Sequence, residues 1–233
     1  MMRLRGMILC FLLGCVMPLA HTLEPKSAAV EQAGLEAAAE HSVNAFHAAL
    51  LSALRSDAPF ATRLAILEPQ VQAHFNLATI ARLSLGTTWR GLNAAEQEQF
   101  RLALKDLISA TYADRFADYS GQSFELVGVN PGRRGPVVRT QLVRQSGAPV
   151  RLDYHFRDGQ IYNVVADGVS DLSLRRADYN SIVKQQGFAA LLAHILDQYR
   201  ALANSEPEER KAQTEELISK SAMEQKANGE ARE

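Results

Sequence analysis

The spacing of apolar residues changes period twice along this chain, and that constrains the fold more than any other feature. Between Gln122 and Ala166 it is two. The segments Gln122–Val129, Pro136–Arg144, Val150–Arg157 and Gln160–Ala166 read as four strands, separated by turn signals at Asn130-Pro131-Gly132, Ser146-Gly147 and Asp158-Gly159. The third strand alternates cleanly: Leu152, Tyr154 and Phe156 share one face, and Arg151, Asp153, His155 and Arg157 share the other. One buried face and one wet face, with short connections throughout, predict an antiparallel meander.

On either side the period is that of a helix. Ser27 to Leu54 is Ala-rich, with Leu35, Ala39, Val43, Phe46, Leu50 and Leu54 near helical spacing, and Asp57-Ala58-Pro59 interrupts it. Shorter helices are predicted over Thr62–Glu68 and Leu77–Leu85, the latter stopped by Gly86. Asn93, with Glu96 three residues on, has the form of a capping box. It opens a helix whose stripe runs Phe100, Leu104, Leu107, Ile108, Thr111, Tyr112, Phe116 and Tyr119 and ends at Ser120-Gly121. After Gly168 the chain returns to helix over Leu172–Gln186 and Phe188–Leu202. The expected architecture is α+β: helices packed against one face of a curved four-stranded antiparallel sheet.

The termini read differently. Arg3 and Arg5 precede an uncharged stretch from Met7 to Ala20, 14 residues long. That is short of the ~20 residues a membrane span needs and suits a secretory signal peptide over residues 1–20. A competing reading takes Leu12-Leu13-Gly14-Cys15 as a lipobox, with lipid anchoring through Cys15; both readings imply export. Both cysteines lie in this stretch, so a chain cleaved after Ala20 has neither disulfide nor Cys-ligated metal. Residues 204–233 read as a charged tail with few large apolar residues, and 24–203 as the folded domain.

Charge and motifs exclude several functions. Formal net charge is -1, which gives no support to nucleic-acid binding, although six Arg face two Asp between Asn130 and Gln160. No G-x-S-x-G elbow occurs, so Ser170 after Gly168-Val169 has no nucleophile context. The six His show no paired ligand spacing, and no glycine-rich phosphate loop is present. Neither catalysis nor a metal nor a cofactor is expected. The apolar faces of sheet and helices are compatible with a closed core or with an enclosed hydrophobic pocket, and periodicity does not separate the two.

A set of short motifs bears on that choice. In chain order they are Gly86-Thr87-Thr88-Trp89, Leu92, Glu96 through Phe100, Tyr112 and Tyr119-Ser120-Gly121-Gln122, followed by Pro149-Val150-Arg151-Leu152-Asp153-Tyr154. Tyr162 and Asp167-Gly168-Val169-Ser170 follow, then Tyr179-Asn180-Ser181-Ile182 and Gly187-Phe188. Together they make the stretch from Ala73 to Leu202 resemble the MlaC-like family of periplasmic phospholipid carriers, also known as toluene-tolerance auxiliary proteins. The family commonly has Asp where this chain has Asn163. The run from Asp167 to Leu172, with Arg175-Arg176-Ala177-Asp178-Tyr179, is closer to the hopanoid-associated HpnM branch.

The resemblance implies a soluble, monomeric shuttle rather than an enzyme, with bound phospholipid (or a hopanoid) as cargo and no cofactor. Its partners would be an outer-membrane lipoprotein complex and an inner-membrane ABC transporter bearing an MCE-type protein, or an RND-type transporter for hopanoids. Each buried methylene contributes about 0.8 kcal/mol, so such cargo needs a sizeable dry cavity. Val169 matches the family's pocket edge. Strand alternation adds Leu126, Val138, Leu152, Tyr154, Phe156 and Val165 as expected walls, faced by Leu104, Ile108, Tyr112 and Phe116 from the Asn93 helix. Arg151 matches the family's Val-Arg-Leu-Asp segment and, with Arg139 and Arg157, is expected at a head group or a docking partner.

Overall fold

The computed structural model describes residues 25–54, 58–115 and 121–204. The proposed signal segment, Phe116 to Ser120 and the charged tail lie outside the described residues. Among the described residues, six helices and five strands follow in the order α1 (Pro25–Leu54), α2 (Phe60–His74), α3 (Leu77–Leu85), α4 (Ala94–Arg115), β1 (Ser123–Asn130), β2 (Val137–Val143), β3 (Val150–Arg157), β4 (Gln160–Ala166), β5 (Val169–Ser170), α5 (Asp171–Gln186) and α6 (Phe188–Asn204), with a 3-10 turn at Thr88–Gly91.

The strands form one antiparallel sheet in sequential order, β1-β2-β3-β4-β5, so the meander is as expected but has five strands rather than four. The additional strand is two residues long, too short to show a period. It pairs Val165 with Ser170 and Ala166 with Val169. What makes it is a second Asp-Gly turn. Asp167 (φ 47°) and Gly168 (φ 88°) repeat the left-handed pair Asp158 (φ 51°) and Gly159 (φ 77°) that joins β3 to β4. Two consecutive residues at positive φ give the hairpin geometry that matches strand twist.

Helix α1 is 30 residues long. Its buried stripe begins only at Ala39 and continues through Val43, Phe46, Leu50 and Ala53, whereas Val30 and Leu35 are exposed. It packs on α2 and on β1 and β2, while α2 packs on α4, α4 on α6, and α3 and α6 on α5. Helix α2 runs past Pro69 to His74, further than the sequence predicts. Arg63, Leu67 and Val71 form a buried stripe at intervals of four, and this packing overrides the local cost of an interior proline. Arg63 also ties two helices together, its Nε donating to the Ala113 carbonyl at 2.8 Å near the end of α4.

The α4 cap is a reciprocal box. The Asn93 N–H donates to Glu96 Oε2 at 2.8 Å, and the Glu96 N–H donates to Asn93 Oδ1 at 3.0 Å. Asn93→Ala removes one half of that box. It is expected to lower stability by about 1 kcal/mol, read as a shift in urea midpoint at constant m.

At the β3–β4 hairpin the helix layer is stapled to the sheet. The Asn76 N–H donates to the Ile161 carbonyl at 2.8 Å, and Gln160 Nε2 donates to the Ala73 carbonyl at 2.9 Å. The same hairpin carries an irregularity with a large consequence. Register shifts between His155 and Phe156, leaving Tyr162 as one extra residue on β4. A single extra residue exchanges the faces of everything beyond it.

Candidate functional site

The sheet's helix-facing side is read off the register. One row crosses all five strands: Leu126 opposite Thr140, Thr140 opposite Leu152, Leu152 opposite Ala166, and Ala166 opposite Val169. The next row is Val129, Val138, Tyr154 and Val164, and below it Phe156 faces Ile161. Leu126, Val138, Leu152, Tyr154, Phe156 and Val169 therefore share the side expected of them. Val165 does not. It pairs with Asp153 and so stands on the opposite face, because the extra residue at Tyr162 shifts the alternation by one.

Coverage of this side is uneven. Val138, Tyr154 and Phe156 are closed in among core side chains, as are Leu104 and Ile108 on α4. Leu126, however, stays 43% exposed although its row neighbours Thr140 and Leu152 are buried. At the other end of the row Val169 is half-buried. The helices thus cover the centre of the row and leave its β1 end open. Tyr112 sits one turn beyond Ile108 on the same face of α4, partly buried, while Phe116 falls outside the described residues.

An aromatic group forms the middle of the interior. Phe46 lies edge-on to Tyr112 at 5.0 Å and to Phe75 at 5.1 Å between ring centroids. Next to it, His47 stacks on Phe124 of β1 at 3.8 Å and shares a hydrogen bond of 2.9 Å with the Tyr154 hydroxyl. Burial drives the His47 pKa down to about 3, so the ring is neutral, and burial likewise pushes the Tyr154 phenol well above its ordinary range.

A polar group borders this interior at the start of α5, and sequence reading missed it. Arg175 Nε donates to Asp171 Oδ2 at 2.8 Å, and its Nη1 donates to the Tyr179 hydroxyl at 3.3 Å. Burial opposes the Arg175 charge, but Asp171 and Tyr179 more than offset it and raise its pKa. The Tyr112 phenol is raised by burial and then by the nearby Asp171. The i, i+4 spacing of Asp171, Arg175 and Tyr179 was the available signal.

Ser170 and Asn163 have structural work. The Ser170 hydroxyl donates to Asn163 Oδ1 at 3.0 Å and accepts the Ser173 N–H at 3.1 Å, while Asn163 Oδ1 also accepts the Leu172 N–H at 3.2 Å. Together they cap α5. Asn163 thus serves as an acceptor, a role that the family's Asp can equally fill. On the opposite face of the sheet, Arg139 stands across from Asp153, Arg151 lies 3.9 Å from Asp167, and Arg157 lies 3.6 Å from Asp158. Among the described residues no group of three or more His, Cys, Asp or Glu could hold a metal ion, and no helix is long and apolar enough to cross a membrane.

A helix layer lying over one face of an antiparallel meander, with an apolar interior and a partly uncovered row, defines the class: an α+β protein with a single five-stranded sheet. The MlaC protein family model matches residues 44–197, most of the chain, and the protein belongs to that family. The intermembrane phospholipid transport system binding protein MlaC of Haemophilus influenzae is 24% identical over 139 residues. That match takes in 56% of this chain and 65% of the relative, so the chain spans just under two thirds of its length. Among solved structures, a phospholipid-binding protein from Ralstonia solanacearum, in complex with a phospholipid, superposes with a TM-score of 0.60 at 18% identity. It covers 72% of this chain and 98% of its own, and the two share their fold.

Proposed function

We propose that the protein is a periplasmic lipid carrier, loading a phospholipid whose acyl chains lie between the helix layer and the sheet. Family membership carries this reading. It is supported by the shared fold with a protein holding a phospholipid and by the partly uncovered row from Leu126 to Val169. In this reading Leu126, Leu152 and Val169 line the entrance, and Tyr112, Tyr154, Phe156, Val138, Leu104 and Ile108 are the side chains that move apart as the chains enter. Binding by shape and apolar area needs no nucleophile. The carrier would take lipid from an outer-membrane lipoprotein complex and exchange it with an inner-membrane transporter, meeting these partners through the arginine-bearing outer face of Arg139, Arg151 and Arg157.

Native mass spectrometry of the mature protein, followed by solvent extraction, tests the cargo. A stoichiometric phospholipid is the expected result. A hopanoid would keep the mechanism and change the cargo class. A protein that is empty and refuses added phospholipid and hopanoid overturns the reading. Val169→Glu places a carboxylate at the row's end and is expected to abolish copurifying lipid while leaving the circular dichroism spectrum unchanged. Wild-type lipid content in that variant would remove Val169 from the entrance.

A further inference from the structure

The connection between β1 and β2, residues 131–136, folds back over the end of β3 and walls a cleft of about 340 Å³ on the side of the sheet away from the helices. Two glycines make that fold-back possible. A Cβ at Gly135 would lie 2.5 Å from the Phe156 carbonyl oxygen, and one at Gly132 would lie 2.5 Å from the Gly135 carbonyl oxygen. The Phe156 N–H donates to the Pro136 carbonyl at 2.9 Å, fixing the loop to β3. The cleft is therefore a built feature of the backbone.

Its lining joins two kinds of surface. Val137 and His155 face each other across β2 and β3, and His155 meets the Tyr162 ring edge-on at 6.4 Å, giving a wall of apolar and aromatic character. Arg133 and Arg134 supply the rest. Both are exposed, and neither pairs with a carboxylate among the described residues. This separates them from Arg151 and Arg157, each of which has an aspartate within 4 Å. Arg139 on the same face also lacks an ion pair but stands across from Asp153, whereas Arg133 and Arg134 are adjacent to each other with no carboxylate opposite them among the described residues.

We propose that this cleft is a docking site for an acidic segment of a partner protein, whose carboxylates meet Arg133 and Arg134 while its chain lies against Val137, His155 and Tyr162. The cargo's head group does not reach it, because the sheet itself stands between the cleft and the helix-facing interior. A flat anionic membrane suits the face poorly. Glu125, Asp153, Asp158 and Asp167 stand on or beside the same surface and break up the positive field. A narrow acidic segment entering the cleft avoids them. Arginine pairs bind carboxylates in fixed fork geometry, which lends such docking direction as well as attraction. The inference extends the carrier reading only in saying what the docking serves; the cleft's chemistry does not depend on cargo.

The test is fluorescence anisotropy with a labelled oligoglutamate peptide at low salt, on lipid-loaded and delipidated full chain. The wild type is expected to bind in both states, and Arg133→Glu with Arg134→Glu together to weaken binding by about tenfold or more. The double variant should keep its thermal midpoint, since neither side chain takes part in the core, and Arg200→Glu, on α6 in the helix layer, should have a much smaller effect. Absence of binding by the wild type, or equal binding by the double variant, overturns the proposal. So does competition by inorganic phosphate as effective as that of the peptide, which would make the cleft a small-anion site. Sedimentation with phosphatidylglycerol vesicles that depends on the two arginines, with no peptide binding, overturns it in favour of a membrane surface. A protein that is empty and refuses added phospholipid and hopanoid, yet still binds the peptide through Arg133 and Arg134, would remove the carrier reading and keep this one.

Discussion

Lowering the pH from 7 towards 3 is expected to cost the fold on the order of 4 kcal/mol through His47 alone. The ring is buried between Phe124 and Tyr154, and its pKa falls from 6.5 to about 3 on folding because burial penalises the charged form. A histidine depressed in this way is neutral in the folded protein, whereas the unfolded chain takes up a proton below about pH 6.5. Its stabilisation is therefore fully present above pH 6.5 and is lost as pH falls through the window down to about 3. Within that window the slope approaches 1.4 kcal/mol per pH unit. His74 and His155 are also lowered by burial and add in the same direction. His47→Gln keeps a hydrogen-bond partner for the Tyr154 hydroxyl and removes the titration. Urea unfolding across this range should show a markedly flatter pH dependence in the variant. An unchanged slope would mean that His47 is not the group that titrates.

His47 also shows where sequence reading stops. It lies 107 residues from Tyr154, and its role comes from α1 crossing the sheet, which no local pattern records. In the sequence it is one of six His without paired ligand spacing, and nothing local gives it a role. By contrast, β3 and β4 have the boundaries that alternation and the Asp158-Gly159 turn predict, because period and turn chemistry are local properties.

The misplacements have physical causes of the same kind. Val165 changed face because one extra residue at Tyr162 is invisible in a run of alternating β-formers. Helix α2 outran Pro69 because Leu67 and Val71 pack beneath it, a tertiary gain that propensity does not contain. The segment from Pro131 to Pro136 reads as a plain connection. Only the fold-back onto Phe156 turns its two arginines and two glycines into the wall of a cleft.

Phe46→Ala is expected to lower the stability of the delipidated protein by about 3–5 kcal/mol, a large share of the ~5–15 kcal/mol that typical domains possess. Phe46 is fully buried and touches two other helices and the connection between α2 and α3. Its ring meets Tyr112 of α4, Phe75 between α2 and α3, and His74 at the end of α2. Its removal therefore opens a void that a single side-chain movement does not close. In an ordinary core the loss would be the same whether or not lipid is supplied. In a carrier the void adjoins the space that acyl chains must enter, and an apolar cavity gains from being filled by hydrocarbon. Added phospholipid should therefore raise the melting temperature of Phe46→Ala by more than it raises that of the wild type. Equal shifts in the two proteins would place the acyl chains away from Phe46 and restrict the binding space to the open end of the row, from Leu126 to Val169.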